Sequence, residues 1–561
     1  MLSYPRYSIL TCGVLLLATT IHAAPLPNME PDAGQVVDRA ITREAALLTV
    51  LRASTPVAET YIQDLVSDAD FGTIPNTDHY FLGKLDLSRG LAQTSYLPKD
   101  RDGRHPFDLF TRYFTLHYLP KGFAQMMLID GEEFDRDHYD FAFVRKEYLG
   151  DARTLVYSVT PRKSAGAGRF VGNIWIEDRG FNIVRFNGTY SSSSSGRMFL
   201  HFDSWRTNAG PDLWLPYEAY SEESHLSDFM KIHTVHFKAL TKFWGYGGPA
   251  ERAGAEFTSL TVETLRNHPQ VEDKSPDGED SSPVEGLRAW QHLSEENVLG
   301  RLERAGLVSK QGGIDTILDT VVNNIAVTND LNLEPAVHVR VLLTTPLESF
   351  TIGRTIVISR GMIDTLPDEA SLAAILTHEL AHIILGHTTS TDFAFSDRVR
   401  FDDSLILERF RLSRTPAEEA AANGKAVQLL AKSPYSAKLG QAGLFLKALD
   451  KESNRLPSLI KPLMGDGLVS GHTVLQMAAL MDNAPQLQTA RLDQIAALPL
   501  GSRTWLDPWT DGLEMKTIRS VPLVSAAEKL PFEITPVYLH LRYQSDAASQ
   551  SVEEQPIARG N

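Results

Sequence analysis

One helix constrains this chain more than any other feature. The stretch TLPDEASLAAILTHELAHIILGH, residues 365–387, is apolar on every face of its second half, so it has to be buried. It nevertheless carries His378, Glu379, His382 and His387. Thr365 is placed to cap it, with Pro367, Asp368 and Glu369 in its first turn. Imidazole and carboxylate groups inside such a helix are costly unless they are paired or metal-bound. His378 and His382 stand four residues apart, so one face presents both rings. A zinc ion needs nitrogen ligands converging to within about 2.1 Å, and this spacing supplies two without ordering a loop. Glu379 lies beside those ligands and not among them, where a carboxylate is placed to take the proton of an attacking water. The alternative is a buried helix rich in histidine by chance. Composition alone gives His-Glu-x-x-His in roughly a few per cent of chains this long, and the independent helix pattern favours the metal.

Two histidines do not complete a zinc site. EEAAANGKAVQLL, residues 418–430, has a helical pattern, and Ala420, Ala421 and Ala422 are small enough to pack closely on another helix. Glu419 is expected to supply the third ligand, and Glu418 to point away. Asn423, one turn on, is expected to accept a hydrogen bond from a ligand histidine's second nitrogen.

The 561 residues are too many for one core. A net charge of −16 and the lack of any basic cluster exclude a nucleic-acid partner. The opening MLSYPRYSILTCGVLLLATTIHAAP has a positive start at Arg6, an apolar run and then small residues. This is expected to be a signal peptide over residues 1–24, giving a secreted or periplasmic protein with no transmembrane span in the mature chain. Cys12, inside that segment, is the one cysteine, so a metal site must be built from histidine and carboxylate.

The remaining texture predicts an α+β protein: an antiparallel β-rich, half-barrel-like first domain, then a mainly helical domain with a small sheet that carries the metal helix. Residues 25–266 begin helical (35–53) and then alternate aromatic and β-branched residues with polar ones, as in the hairpin GNIWIEDRGFNIVRF. Residues 267–286, acidic and rich in Pro and Ser, read as a disordered linker joining two independently folding units. Residues 287–500 form the second domain, which carries the metal helix, with strands at VHVRVLLTT and RTIVISRGM and helices at 416–432, 436–452 and 472–482. Residues 501–561 are a C-terminal extension with a disordered end. No motif in residues 60–245 names a catalytic group.

The segment FTIGRTIVISRGMIDTLPDEASLAAILTHELAHIILGH, followed by EEAAANGKAVQLL, resembles the gluzincin metallopeptidases of the CAAX prenyl protease and HtpX type. The resemblance covers about residues 315–484. It implies one zinc ion per chain on His378, His382 and Glu419, Glu379 as general base, and protein or peptide substrates lying along the edge of the strand Thr355–Ser359. It places His387 as a structural or ligand-supporting histidine. It places His472 where relatives carry His-Pro, a histidine that in some of them reaches the metal or the reacting oxygen. Asn423 stands where the family has aspartate. A neutral Asn raises a histidine's basicity less, implying weaker metal binding or activity. Lacking the spans of the prenyl proteases, the chain looks more like the family's soluble periplasmic members, some of which act on outer-membrane assembly. Envelope protein quality control is therefore the expected setting. The first domain's hairpins loosely resemble LolA-type lipoprotein carriers, which adds a lipid or lipoprotein partner. Two readings compete with the endopeptidase: an inactive relative acting as a chaperone or binding module, and lipid or lipoprotein binding through the β-rich domain.

Overall fold

Between residues 57 and 244 the alternating runs build one antiparallel sheet of ten strands. The structure is a computed structural model describing residues 33–68, 72–88, 90–98, 120–131, 133–191, 200–210, 212–227, 234–247, 283–395, 402–471, 473–488, 500–501, 503–515, 532–536 and 538–544. The strands are β1 (Val57–Asp68), β2 (Gly72–Asp86), β3 (Ala92–Ser95), β4 (Tyr139–Leu149), β5 (Ala152–Pro161), β6 (Phe170–Glu177), β7 (Ile183–Tyr190), β8 (Phe202–Gly210), β9 (Leu213–Ser227) and β10 (Thr234–Trp244). Their order is β3-β2-β1-β10-β9-β8-β7-β6-β5-β4, so β10 returns beside β1 while β3 and β4 form the two edges. The expected hairpin is β6–β7. Its turn is tied by the Glu177 carboxylate, which accepts the N–H groups of Arg179, Gly180 and Asn182.

Both faces of this sheet are covered. Along β1, Val57 and Tyr61 join one hydrophobic cluster, and Ala58 and Ile62 join another. The second cluster is closed by α1 (Ala33–Arg52), whose Val36, Val37, Ala40, Leu47 and Leu51 recur at helical spacing and are buried. Glu44 interrupts that stripe. Its carboxylate takes both terminal nitrogens of Arg206 on β8, at 2.6 and 2.7 Å, and both side chains are buried. A short helix, α2 (Pro120–Gln125), adds Phe123 to the same side.

The C-terminal half covers the other face. It comprises α3 (Pro283–Arg304), α4 (Gly313–Thr328), β11 (His338–Leu342), β12 (Glu348–Ile352), β13 (Thr355–Ser359), α5 (Arg360–Thr365), α6 (Glu369–Ile384), α7 (Pro416–Ala431), α8 (Leu439–Glu452) and β14 (Asp466–Gly467). The four strands form a second sheet in the order β11-β13-β12-β14. Among the described residues no helix is long and apolar enough to cross a membrane. The architecture is mixed α+β, as the sequence predicts.

Four expectations need correction or placement. The two expected units pack on each other. Trp205, Trp214, Tyr217 and Trp244 of the large sheet share one continuous core with Leu307, Val341, Met362 and Leu376 of the C-terminal half. Glu59 on β1 receives Arg360 Nη2 at 2.5 Å and the Thr345 N–H at 2.6 Å, and Trp244 Nε1 donates to the Gly306 carbonyl at 2.7 Å. A sheet apolar on both faces needs two covers, and α1 is only one of them. The described parts of 501–561 also pack on the large sheet: Lys238 meets Glu533 at 2.5 Å, and Gly150 bridges to Leu541. Of the expected linker, residues 267–282 lie outside the described residues, while positions 283–286 open α3. The signal-peptide residues 1–24 also lie outside them. Finally, residues 473–474 are strand and 478–481 a 3-10 turn, where a helix over 472–482 is predicted.

Candidate metal centre

The centre is built on α6. The helix is capped by Asp368, which accepts the Ser371 N–H at 2.8 Å, not by Thr365. Leu366 precedes a proline and is extended (φ −61°, ψ 131°), so Thr365 closes α5 instead. Every residue from Ala370 to His382 is buried, as an all-round apolar pattern requires. Gly386 then turns the chain with φ +72° and brings His387 back under its own helix. His387 Nδ1 lies 2.9 Å from His382 Nδ1.

Glu419 comes from α7, which opens with a reciprocal cap between Thr415 and Glu418. Glu418 spends its carboxylate on that cap, accepting the Thr415 N–H at 2.9 Å. The packing contact is made by the buried Ala422 and Ala426; Ala420 and Ala421 are exposed. Glu419, one turn before Ala422, thereby reaches the histidines. His378 Nε2 and His382 Nε2 lie 3.2 Å apart, and each is 3.2 Å from a different Glu419 oxygen.

This donor set fits a zinc ion. Tetrahedral bonds of about 2.1 Å put ligand atoms roughly 3.4 Å apart, close to the spacing here. Both Glu419 oxygens are buried without a well-directed hydrogen-bond donor among the described residues, as is His378 Nδ1. Burial alone would raise the Glu419 carboxyl's pKa, but the two imidazoles outweigh it and hold it well below the usual range. His387 is held below the usual imidazole range, first by burial and then by His382.

One face of the small sheet looks onto this centre through three polar side chains. Ser349 and Thr351, two apart on β12, share a face, and Asp466 is Ser349's cross-strand partner on β14. Ser349 Oγ donates to Glu379 Oε1 at 2.6 Å; Glu379 is 3 % exposed. Thr351 Oγ1 accepts a hydrogen bond from Arg414 Nη2. Asp466 faces Glu419 and accepts the Arg414 N–H at 2.7 Å. Burial, followed by the Glu419 charge, pushes the Asp466 carboxyl up. Sequence reasoning missed β12, Ser349, Thr351, Asp466 and Arg414. The signal for β12 is the two-residue turn Gly353–Arg354 between Phe350–Ile352 and Thr355–Ile358, with Gly353 at φ +57°.

Two expected placements are corrected. Among the described residues Asn423 hydrogen-bonds to neither histidine: its Nδ2 donates to the Leu475 carbonyl at 2.8 Å, and its Oδ1 accepts the Met477 N–H at 2.7 Å. It clamps a backbone segment in which Met477 is left-handed at φ +55°. The strand Thr355–Ser359 has no free edge, because β11 pairs with it in parallel and β12 antiparallel. His472 lies outside the described residues.

Glu348, next to Ser349, carries a pH prediction. Its Oε2 accepts the N–H groups of Leu463 and Met464 at 3.0 Å and of Gly465 at 3.2 Å. Burial prevails over these donors and raises its pKa from 4.5 to about 7. The folded state therefore holds this proton where the unfolded state has lost it. The stabilisation is full below the unfolded value and is lost as pH rises through about 7. Urea unfolding of the wild type should show a loss of up to about 3 kcal/mol between pH 4.5 and 8 that Glu348→Gln does not show. Parallel pH profiles for the two proteins would contradict the assignment.

No curated protein matches the chain. Residues 315–433 match the model of peptidase family M48, a zinc-dependent family, and the match supports a zinc metallopeptidase.

Proposed function

We propose that this protein is a secreted or periplasmic zinc endopeptidase that cleaves protein or peptide substrates, in envelope protein quality control. The observation that carries the reading is the convergence of His378, His382 and Glu419 within 3.2 Å, with Glu379 buried beside them and outside the ligand set. The leader-like opening supports the compartment. When bound, zinc acidifies water toward pH 7 and polarises the scissile carbonyl. Glu379, oriented by Ser349, accepts the proton of the attacking water. The water oxygen adds to the carbonyl carbon while the π pair moves onto the carbonyl oxygen. Glu379 then passes the proton to the amine nitrogen as the C–N bond breaks. The substrate adds to β12, whose outer side pairs with β14 only at Glu348 and Ser349.

The inactive-relative reading rests on Asn423, whose side chain bonds to Leu475 and Met477 and not to an imidazole among the described residues. Lipid or lipoprotein binding has one observation in its favour. A cavity of about 630 Å³ opens beside the end of α1, walled by Leu48, Leu51, Leu128 and Tyr190 with Arg52 and Arg169, a size that suits a small ligand.

The test is metal content with casein cleavage. The full chain should bind one zinc and cleave casein, and a chelator should abolish cleavage until zinc is restored. His378→Ala should lose both metal and activity, because two remaining ligands hold zinc weakly. Cleavage that persists without metal would overturn the reading.

A further inference from the structure

Beside the carboxylates of the centre stands a cation whose donors are only partly used among the described residues. Arg414 stands just before α7, held by its own N–H on Asp466 and by Nη2 on Thr351. Its other terminal nitrogen, Nη1, is buried and has no hydrogen-bond partner among the described residues. Thr351 and Ser349 share a face of β12, one two-residue repeat apart, which is about 6.8 Å along the strand. The guanidinium held by the first therefore lies alongside the Glu379 carboxylate held by the second. Glu379 is the carboxylate whose charge it feels most, ahead of Glu418, Asp466 and Glu419. An arginine remains charged in such a place, and a buried N–H without an acceptor is costly. A substrate carbonyl lying between Glu379 and Arg414 would supply that acceptor. The demand is greatest when the oxygen carries the negative charge that water addition creates.

We propose that Arg414 is a catalytic residue of this centre, donating through Nη1 to the carbonyl oxygen of the scissile bond as it becomes an oxyanion. The proposal rests on the endopeptidase reading. It gives the oxyanion donor to Arg414, a residue no motif marks, in place of His472. Thr351 and Asp466 are its positioning residues: one fixes the guanidinium, the other the backbone that carries it.

The test uses the zinc-loaded full chain with fluorescein-labelled casein, comparing wild type, Arg414→Lys and Arg414→Ala. Phosphoramidon, whose phosphoryl oxygens imitate the tetrahedral oxyanion, is titrated calorimetrically as a readout separate from turnover. Loss of one such donor lowers kcat by roughly 100- to 1000-fold. Arg414→Ala should show that loss with KM nearly unchanged and zinc content intact, and phosphoramidon binding should weaken with it. Millimolar guanidinium should restore part of the activity. Arg414→Lys should fall between the two, since a lysine offers no planar fork. A KM increase with kcat preserved would overturn the proposal. So would zinc loss or a lowered melting temperature without guanidinium rescue, in both variants. If wild type cleaves casein and Arg414→Ala cleaves it equally, the proposal alone fails. If wild type neither holds zinc nor cleaves, the endopeptidase reading fails and takes the proposal with it.

Discussion

Glu379→Gln should lower casein turnover by on the order of a hundredfold or more while zinc and fold stay in place, because general-base help is of that size. Glutamine matches the size of glutamate and keeps an oxygen to accept from Ser349 Oγ, now 2.6 Å from Glu379 Oε1. It has no basic lone pair with which to take the proton of water. Glu379 is not one of the three converging donors, so metal content should be unchanged. The measurements are zinc per chain, melting temperature and initial rate on one preparation. Equal cleavage by wild type and variant would assign the activity to another mechanism or to a contaminant.

Glu59→Leu should destabilise the whole protein by about 3–5 kcal/mol, the range for removing one partner of a buried ion pair. Glu59 lies on the large sheet, and its carboxylate receives Arg360 Nη2, the Tyr80 hydroxyl at 2.9 Å and the Thr345 N–H. Both Glu59 and Arg360 are 2 % exposed. Without that carboxylate, the buried guanidinium keeps only the nearby Asp364 charge, and its Nη1 already lacks a partner among the described residues. Adding Arg360→Met should recover part of the loss, because it removes the orphaned guanidinium while the Tyr80 hydroxyl and the Thr345 N–H stay without their acceptor. The two halves share one core, so urea unfolding of the wild type should be a single transition. Two separated transitions, or a loss below about 1 kcal/mol for Glu59→Leu, would contradict this account.

The β-rich texture of the first half and the helices of the second were legible because period-2 and period-3.6 patterns are local. The covering of the sheet was not. Tyr61 and Trp244 read equally well as one buried face of a lone domain; only the docked C-terminal half reveals that their face is an interface. The sequence sets Asn423 on the correct helix, but its partners lie elsewhere. One turn beyond a ligand predicts proximity to the ligand, yet rotation around α7 turns the amide toward Leu475 and Met477. β12 was missed because ESFTI is short and mixes polar with apolar residues.

By itself the sequence determined that His378 and His382 share a face with Glu379 beside them, because i, i+4 geometry belongs to any α-helix. It also placed Glu419 on a helix able to pack closely. Only the tertiary structure decided that this carboxylate stands 3.2 Å from both imidazoles. It alone set Ser349 on Glu379 and Asp466 and Thr351 on Arg414, contacts spanning 30 to 63 residues of chain. Such contacts follow from how helix and sheet dock, which no local period records.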